Sequence, residues 1–311
     1  MLRFLRKRIP AAQDFSTPLL SEKEIAKLIE QVNDLHMPYR DVHRRHAGNF
    51  RSVYLGRGLD FEESRPYQRG DDLRDMDWRT TARSNKPYLK IYREEHQPGL
   101  HIILDRSPSM RFGTVTQLKV TQGARLSILL AFAAAKRGAA ISATMLEQDA
   151  LNLPATNGEA GALHLLNATI TPCPPVASSM AVPLRATLAA LDDQLPRSTH
   201  LVIISDFSAV TQADADFLQQ LASRHQLLLM QLLDPAEKTL PNVGYACFWD
   251  DKARALRWIN TADATTREQF KEQADKFFAA QGKMLQRIDA PHFICLSNDG
   301  AFDFLVKQGV M

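Results

Sequence analysis

Short apolar runs alternate with longer amphipathic segments from about Gly99 to the end of the chain. The runs 100–104, 201–204 and 226–233 are almost continuously apolar, which predicts strands buried on both faces of a sheet. Between them, apolar residues recur every three or four positions, the spacing typical of helices that bury one face. The pattern predicts helices at 118–136, 161–168, 184–191, 214–224, 266–287 and 301–307, further strands at 139–146, 149–153 and 292–296, and a β-hairpin at 245–249 and 256–259.

The order of these segments predicts an α/β fold. Strands that alternate with helices usually form a mostly parallel sheet with helices on both faces. We therefore assign residues 96–311 to one such domain. Residues 1–95 are an N-terminal extension with a helix at 21–32, a stretch rich in Gly, Arg and Asp, and a strand at 88–93. We expect this extension to pack on the α/β domain.

Composition and charge narrow the function classes. Of the 311 residues, 45% are hydrophobic, and the formal net charge of +3 is too mild to indicate nucleic-acid binding by itself. The three cysteines, Cys173, Cys247 and Cys295, are widely spaced and odd in number, as expected of free thiols in a reducing compartment. The longest apolar stretch, 126–135, is too short to cross a bilayer. These features favour a cytoplasmic protein.

Two basic segments need a separate interpretation. The first, 3–8, is not followed by an apolar stretch, so we do not expect a signal peptide. We expect it to be a solvated, frayed terminus, with peripheral contact to anionic lipid as the alternative. The two segments together, 3–8 and 40–51, raise nucleic-acid binding as a further alternative, which we disfavour because the basic residues are not interleaved with a recognisable binding fold.

Short oxygen-bearing side chains follow the first buried strand at alternate positions, as Asp105, Ser107 and Ser109. A second aspartate, Asp206, follows the strand at 201–204. Both places are carboxyl ends of strands, where α/β sheets bind ligands. Hydroxyl and carboxylate oxygens suit Mg²⁺, which prefers octahedral oxygen coordination. The structural alternative is that Asp105 caps the next segment and that 107–109 is a plain turn.

A denser charged cluster lies in the N-terminal extension. Its acids are Asp71, Asp72, Asp75 and Asp77, and its arginines are Arg65, Arg69, Arg74, Arg79 and Arg83. The acids alone suggest a metal-dependent hydrolase. Because arginines are interleaved with them, we favour a self-neutralising network of ion pairs, anchored by Tyr67 and Trp78. The sequence contains no Gly-x-Ser-x-Gly elbow, phosphate-binding loop or His-Glu-x-x-His motif that would indicate another enzyme class.

These motifs resemble a known metal site and a known protein family. Asp105, Ser107, Ser109 and Asp206 resemble the metal-ion-dependent adhesion site of von Willebrand factor A domains. The stretch 56–110 is similar to the bacterial domain of unknown function 58 family. It carries the motifs Gly56-x-Gly58, Arg65-x-Tyr67, Gly70-Asp71-Asp72-x-Arg74-x-Met76-Asp77-Trp78 and Ala82-Arg83 ahead of the Asp-x-Ser-x-Ser run.

The first resemblance implies a von Willebrand A-like, Rossmann-like sheet in which Ser107 and Ser109 bind Mg²⁺ directly. Asp105 and Asp206 would then lie in an outer or mixed shell. A Thr from a third loop usually completes such a site, whereas here the corresponding loop offers Ser178 or Ser179. The second resemblance implies a non-enzymatic adaptor or co-chaperone that works with a MoxR-type AAA+ ATPase or its client. We expect a carboxylate of the partner to fill the open position on the ion.

Overall fold

The computed structural model describes residues 2–5, 18–34, 60–67, 76–84, 86–93, 99–114, 117–147, 150–173, 184–192, 194–196, 199–250 and 255–311. The chain forms two compact units. The smaller is Leu55–Gln97, and the larger combines Met1–Tyr54 with Pro98–Met311. The domain boundary at residue 95 and the packing of the extension on the α/β domain stay predictions.

The elements alternate between strand and helix through most of the larger unit. In chain order they are β1 (Leu2–Leu5), α1 (Glu22–Asp34), β2 (Asp60–Pro66), α2 (Trp78–Ser84), β3 (Tyr88–Arg93), β4 (Leu100–Asp105), α3 (Lys119–Ala135), β5 (Ala140–Leu146), β6 (Ala150–Asn157), α4 (Gly158–Thr169), α5 (Leu184–Asp192), β7 (His200–Ser205), α6 (Gln212–Ala222), β8 (Gln226–Leu233), α7 (Pro235–Lys238), β9 (Tyr245–Asp250), β10 (Ala255–Asn260), α8 (Ala264–Leu285), β11 (His292–Leu296) and α9 (Ala301–Lys307).

A six-stranded sheet in the order β11-β8-β7-β4-β5-β6 is the centre of the larger unit. Its pairings are parallel except for the edge strand β6, which runs antiparallel to β5. Numbered by their order along the chain, these strands lie in the order 3-2-1-4-5-6 of doubly wound sheets. The predicted fold class is confirmed in its architecture, a mostly parallel α/β sheet flanked by helices. The chain reverses its winding between β4 and β7, so the loops that leave these two strands diverge at a topological switch point.

Helices cover both faces of this sheet because side chains alternate between the two faces along each strand. On one face, Leu104 and Ile204 pack in a buried cluster with residues of α1, α3, α4 and α9. On the other, Ile103 and Ile203 pack in a second cluster with residues of α5, α6 and α8. The near-continuous apolar runs of β4 and β7 are therefore explained by burial on both sides.

The predicted helices and strands of this unit are found with small shifts at their ends. The hairpin is confirmed, since β9 and β10 pair antiparallel, and the strand expected at 149–153 extends to Asn157 as β6. The expectation of a frayed basic terminus is wrong for Leu2–Leu5, which forms β1 and pairs antiparallel with β9. Long-range pairing of so short a segment leaves no local signal in its sequence. Among the described helices, none is both long and apolar enough to span a membrane.

The smaller unit contains a β-ribbon and a short helix. β2 and β3 pair antiparallel, and Met76 forms an isolated bridge with Leu89. Asp77 then begins α2 as its cap. Its Oδ1 accepts hydrogen bonds from the backbone N–H groups of Arg79 and Thr80, and its Oδ2 accepts one from the Thr80 hydroxyl. A carboxylate at this position also complements the positive end of the helix dipole.

Candidate functional site

The loop after β4 brings two serine hydroxyls together. Its first contact is local, since Ser107 N–H donates to Asp105 Oδ1 at 2.8 Å. A turn closed by the hydrogen bond from Met110 N–H to the Ser107 carbonyl then places Ser107 Oγ 3.1 Å from Ser109 Oγ. Adjacent ligands of an octahedral Mg²⁺ site, each about 2.1 Å from the ion, lie about 3 Å apart. The spacing of the two hydroxyl oxygens therefore fits a pair of neighbouring Mg²⁺ ligands.

Asp105 is linked across the switch point to the end of β7. Ser205 Oγ donates to Asp105 Oδ2 at 2.6 Å and accepts a hydrogen bond from Phe207 N–H at 3.0 Å. Phe207 is buried and has a φ of 52°, a left-handed conformation that is uncommon for a residue with a bulky side chain. Sequence reasoning missed Ser205. The signal available was its place at the end of β7, which pairs in register with β4.

Asp206 makes its closest contact with a buried lysine. Lys119 Nζ lies 2.8 Å from Asp206 Oδ2 and 2.8 Å from Glu237 Oε1, and the lysine is 0% exposed. The second oxygen of Asp206 accepts a hydrogen bond from Ser208 N–H. Asp206 therefore lies at the strand end expected for it, but both of its carboxylate oxygens already have protein partners. Neither Lys119 nor Glu237 was predicted as part of this region.

The ionisation of these groups follows from burial and from their neighbours. Burial raises the pKa of Asp105, and the Asp206 carboxylate raises it further. Burial alone would raise the pKa of Asp206 as well, but the Lys119 ammonium and hydrogen bonds from Ser208 bring it below its usual value. Burial, helped by the nearby Asp206 carboxylate, raises the pKa of Glu237 in spite of the Lys119 ammonium. Asp206 and Lys119 thus form an ionised pair, and Asp105 is left as a carboxyl group that gains a proton readily.

Charge around the two loops favours a cation. Three carboxyl groups, Asp105, Asp206 and Glu237, accompany the single positive charge of Lys119, so this set is negative when fully ionised. Within the part of the chain that is described, no three His, Cys, Asp or Glu side chains form a group able to hold a metal ion. A cation at this place would therefore depend on the hydroxyls of Ser107 and Ser109. By spacing and charge, these residues fit Mg²⁺.

Arg106 joins this loop to the segment that leads into the third loop. Its guanidinium donates to the carbonyls of Ala168, Thr171 and Pro172 and to the Thr171 hydroxyl, and its Nε lies 2.8 Å from Glu147 Oε1. Arg106 is only 1% exposed, so its guanidinium itself is shielded from solvent. The third loop itself, with the candidates Ser178 and Ser179, lies outside the described residues.

The charged cluster of the smaller unit is described only in part. Gly70, Asp71, Asp72, Arg74 and Asp75 lie outside the described residues. Asp77 is the cap of α2, a structural role that differs from that of a hydrolytic metal ligand. Trp78 is 69% exposed, and Arg83 is exposed in the last turn of the same helix. Tyr67 N–H donates to the Pro87 carbonyl, whereas Arg65 is placed only as a residue of β2.

Comparison with known proteins identifies a protein family and relatives of similar sequence. The family model described as Protein of unknown function DUF58 matches residues 63–278, which is more than half of the chain. The chain is 28% identical over 251 residues to Uncharacterized protein Rv1480 of Mycobacterium tuberculosis and, to the same extent, to Uncharacterized protein Mb1516 of Mycobacterium bovis. Each of these matches covers 80% of this chain and 77% of the relative.

Solved structures show weaker similarity. The conserved hypothetical protein BatB of Bacteroides thetaiotaomicron is 16% identical and has a TM-score of 0.43, with 68% of this chain and 96% of BatB covered. A von Willebrand factor type A protein of Catenulispora acidiphila is 16% identical with a TM-score of 0.31, and the match covers 61% of this chain and 44% of that one.

Proposed function

The chain belongs to the family of proteins of unknown function DUF58, and on that premise we propose that it is a non-enzymatic adaptor of the co-chaperone type. In this proposal it binds a partner protein at the carboxyl end of its central sheet. The observation that carries the proposal is the pair of hydroxyls, Ser107 and Ser109, held 3.1 Å apart beside Asp105 at the switch point between β4 and β7. Loops at such a point form the usual ligand site of an α/β sheet.

Each residue has a separate role in this proposal. Ser107 and Ser109 supply the hydroxyl oxygens that would hold Mg²⁺. Asp105 fixes the loop by accepting a hydrogen bond from Ser107 N–H, and ties it to β7 through Ser205. A bound Mg²⁺ with so few carboxylate ligands would supply positive charge for an Asp or Glu side chain of the partner. Binding of this kind requires no group that transfers protons or attacks a substrate.

A MoxR-type AAA+ ATPase or its client is the partner that we propose. The support is the resemblance of the 56–110 stretch to a family whose members commonly accompany such ATPases. The alternative of a metal-dependent hydrolase at Asp71, Asp72, Asp75 and Asp77 gains no support from the described residues, because Asp77 is engaged as a helix cap. A cytoplasmic location remains part of the proposal and is tested by cell fractionation.

Affinity purification from the native cell tests the proposal. The wild-type chain is compared with Ser109→Ala, and each purification is done with Mg²⁺ and again with a chelator. With Mg²⁺, we expect the wild-type chain but not Ser109→Ala to recover one partner, identified by mass spectrometry as an AAA+ ATPase or its client. With the chelator, neither should recover it. Ser223→Ala is the matched control, because Ser223 is an exposed serine at the end of α6, before the amino end of β8. Recovery that the chelator does not change would exclude a metal bridge.

A further inference from the structure

The buried ammonium of Lys119 is the feature of this site that the proposed function does not use. Lys119 begins α3, the helix that follows the loop carrying Ser107 and Ser109, which we call the serine loop. Its backbone N–H donates to the Phe112 carbonyl. From there its side chain reaches the Asp206 and Glu237 carboxylates, at 2.8 Å each. All three residues are buried, with Glu237 the most exposed at 9%, so water does little to screen the charges from one another.

One of the two carboxylates paired with Lys119 is coupled to the serine loop. Asp206 adjoins Ser205, whose hydroxyl donates to Asp105. The negative charge of Asp206 raises the pKa of Asp105, because it disfavours the ionised form of that carboxyl group. Glu237 is held in place by its second carboxylate oxygen, because Oε2 accepts a hydrogen bond from the backbone N–H of Asp234 in the capping box of α7. A charge change at Lys119 or Glu237 is therefore transmitted to the loop electrostatically, without contact with it.

We propose that Lys119 is a specificity-determining residue, an internal counter-ion that withholds Asp206 from a cation bound at Ser107 and Ser109. This inference rests on the proposed function, since it concerns the same site. With Lys119 paired to Asp206, Asp105 is the carboxylate of the loop itself that offsets the ion, so the ion and Asp105 together keep a net positive charge. Such a site selects an anionic guest, namely a carboxylate side chain of a partner protein.

The inference assigns Lys119 two opposite effects. Its positive charge weakens Mg²⁺ binding through repulsion, and at the same time it strengthens the attraction of the occupied site for a carboxylate. A residue that only supports the fold would not separate these two affinities. Loss of a structural contact would weaken both.

Isothermal titration of Mg²⁺ into the full chain measures the first effect. Lys119→Met is expected to bind Mg²⁺ at least about tenfold more tightly, because Asp206 is released and a nearby positive charge is removed. Glu237→Gln is expected to weaken Mg²⁺ binding severalfold, because Lys119 loses one of its two compensating carboxylates. Lys136→Met is the control, since Lys136 follows the opposite end of α3 and bonds to the Val32 carbonyl.

Acetate titrated into the Mg²⁺-saturated proteins, followed by NMR, measures the second effect. We expect Lys119→Met to lose most of its acetate binding and Lys136→Met to retain it. Lys119→Met leaves two buried carboxylates unpaired, which can prevent folding. The double variant Lys119→Met, Glu237→Gln then replaces it, because it removes one charge of each sign while still releasing Asp206. It is expected to bind Mg²⁺ more tightly than the wild-type chain.

The outcomes separate this inference from the proposed function. If the Lys119 variants bind Mg²⁺ more tightly and acetate more weakly than the wild-type chain, the role of Lys119 is supported. Mg²⁺ binding that is measurable in the Lys119 variants but not in the wild-type chain also supports it. Equal Mg²⁺ affinities of wild type, Lys119 variants and Glu237→Gln overturn this inference and leave the metal site standing. If neither the wild-type chain nor any variant binds Mg²⁺, the metal-dependent function and the inference both fail.

Discussion

Replacing Asp105 with asparagine distinguishes a ligand site from a structural cap. The change keeps the shape of the side chain, so the new amide carbonyl can still accept from Ser107 N–H and the amide NH₂ can donate to Ser205 Oγ. What it removes is a buried negative charge near Asp206. In wild type, burial and Asp206 raise the pKa of Asp105 above the ordinary value of 3.8. We therefore expect Asp105→Asn to fold, to be more stable without metal and to lose Mg²⁺ binding.

The sign of the stability change follows from this shift. The folded state holds a proton at Asp105 more tightly than the unfolded chain does. Stability is therefore lost as the pH rises from about 3.8 through the raised folded-state pKa of Asp105. Each unit of pKa difference corresponds to about 1.4 kcal/mol. We expect Asp105→Asn to raise the free energy of unfolding at neutral pH, with a smaller gain in acid, where wild-type Asp105 is protonated.

Asp234→Asn is the matched control at the end of the neighbouring strand, β8. The Asp234 carboxylate is buried and accepts hydrogen bonds from the backbone N–H groups of Thr114 and Ala236 and from the hydroxyls of Thr114 and Ser297. An amide NH₂ cannot accept any of them. We expect Asp234→Asn to lower the free energy of unfolding by about 2–3 kcal/mol through unsatisfied buried donors.

Urea denaturation in the presence of a chelator, at pH 5 and pH 8, measures these differences. Mg²⁺ titration of the same samples gives the binding result. If Asp105→Asn were destabilised as strongly as Asp234→Asn, Asp105 would be a structural cap and the reasoning from its buried charge would be refuted.

Three further predictions concern the same loops and the helix behind them. Arg106→Met should lower the free energy of unfolding by about 3 kcal/mol in urea, because the carbonyls of Ala168, Thr171 and Pro172 lose hydrogen bonds from a buried, charged guanidinium; a loss below about 1 kcal/mol would contradict its anchoring role. Gly123→Ala should cost about 1–3 kcal/mol by the same measurement, because the new Cβ would lie 2.7 Å from Leu104 Cδ1; unchanged stability would show that α3 shifts freely. Mg²⁺ should bind more tightly at pH 8 than at pH 6 and release protons in calorimetry, because the raised pKa of Asp105 makes a proton compete with the ion; affinities independent of pH would argue against this competition.

Most of the fold could be predicted from the sequence, because buried strands and helix faces require regular patterns of apolar residues. β4 and β7 lie in the centre of the sheet, so nearly every side chain along them is buried and the middle of each strand is apolar. The position of Asp206 at the end of β7 followed from the same pattern. The loop after β4 was likewise identified because alternate Asp, Ser and Ser residues follow a buried strand directly.

The buried ion pairs of the site could not be predicted from such a pattern. Lys119 begins a helix whose next turns are almost entirely buried, and nothing local distinguishes it from a lysine at an exposed helix start. Glu237 reaches it across 118 positions, through a capping box that the sequence analysis did not identify. Such contacts depend on how loops at the ends of different strands meet. Their geometry follows from the assembled sheet rather than from a periodic pattern.

A crystal structure of the full chain grown with Mn²⁺ in place of Mg²⁺ tests the central claim most directly, because Mn²⁺ is located by its anomalous scattering. We predict a single peak at this end of the sheet, about 2.1–2.2 Å from both Ser107 Oγ and Ser109 Oγ, with Lys119 still bonded to Asp206. Well-ordered loops without a peak, or a peak on Asp206 with Lys119 displaced, would contradict the account.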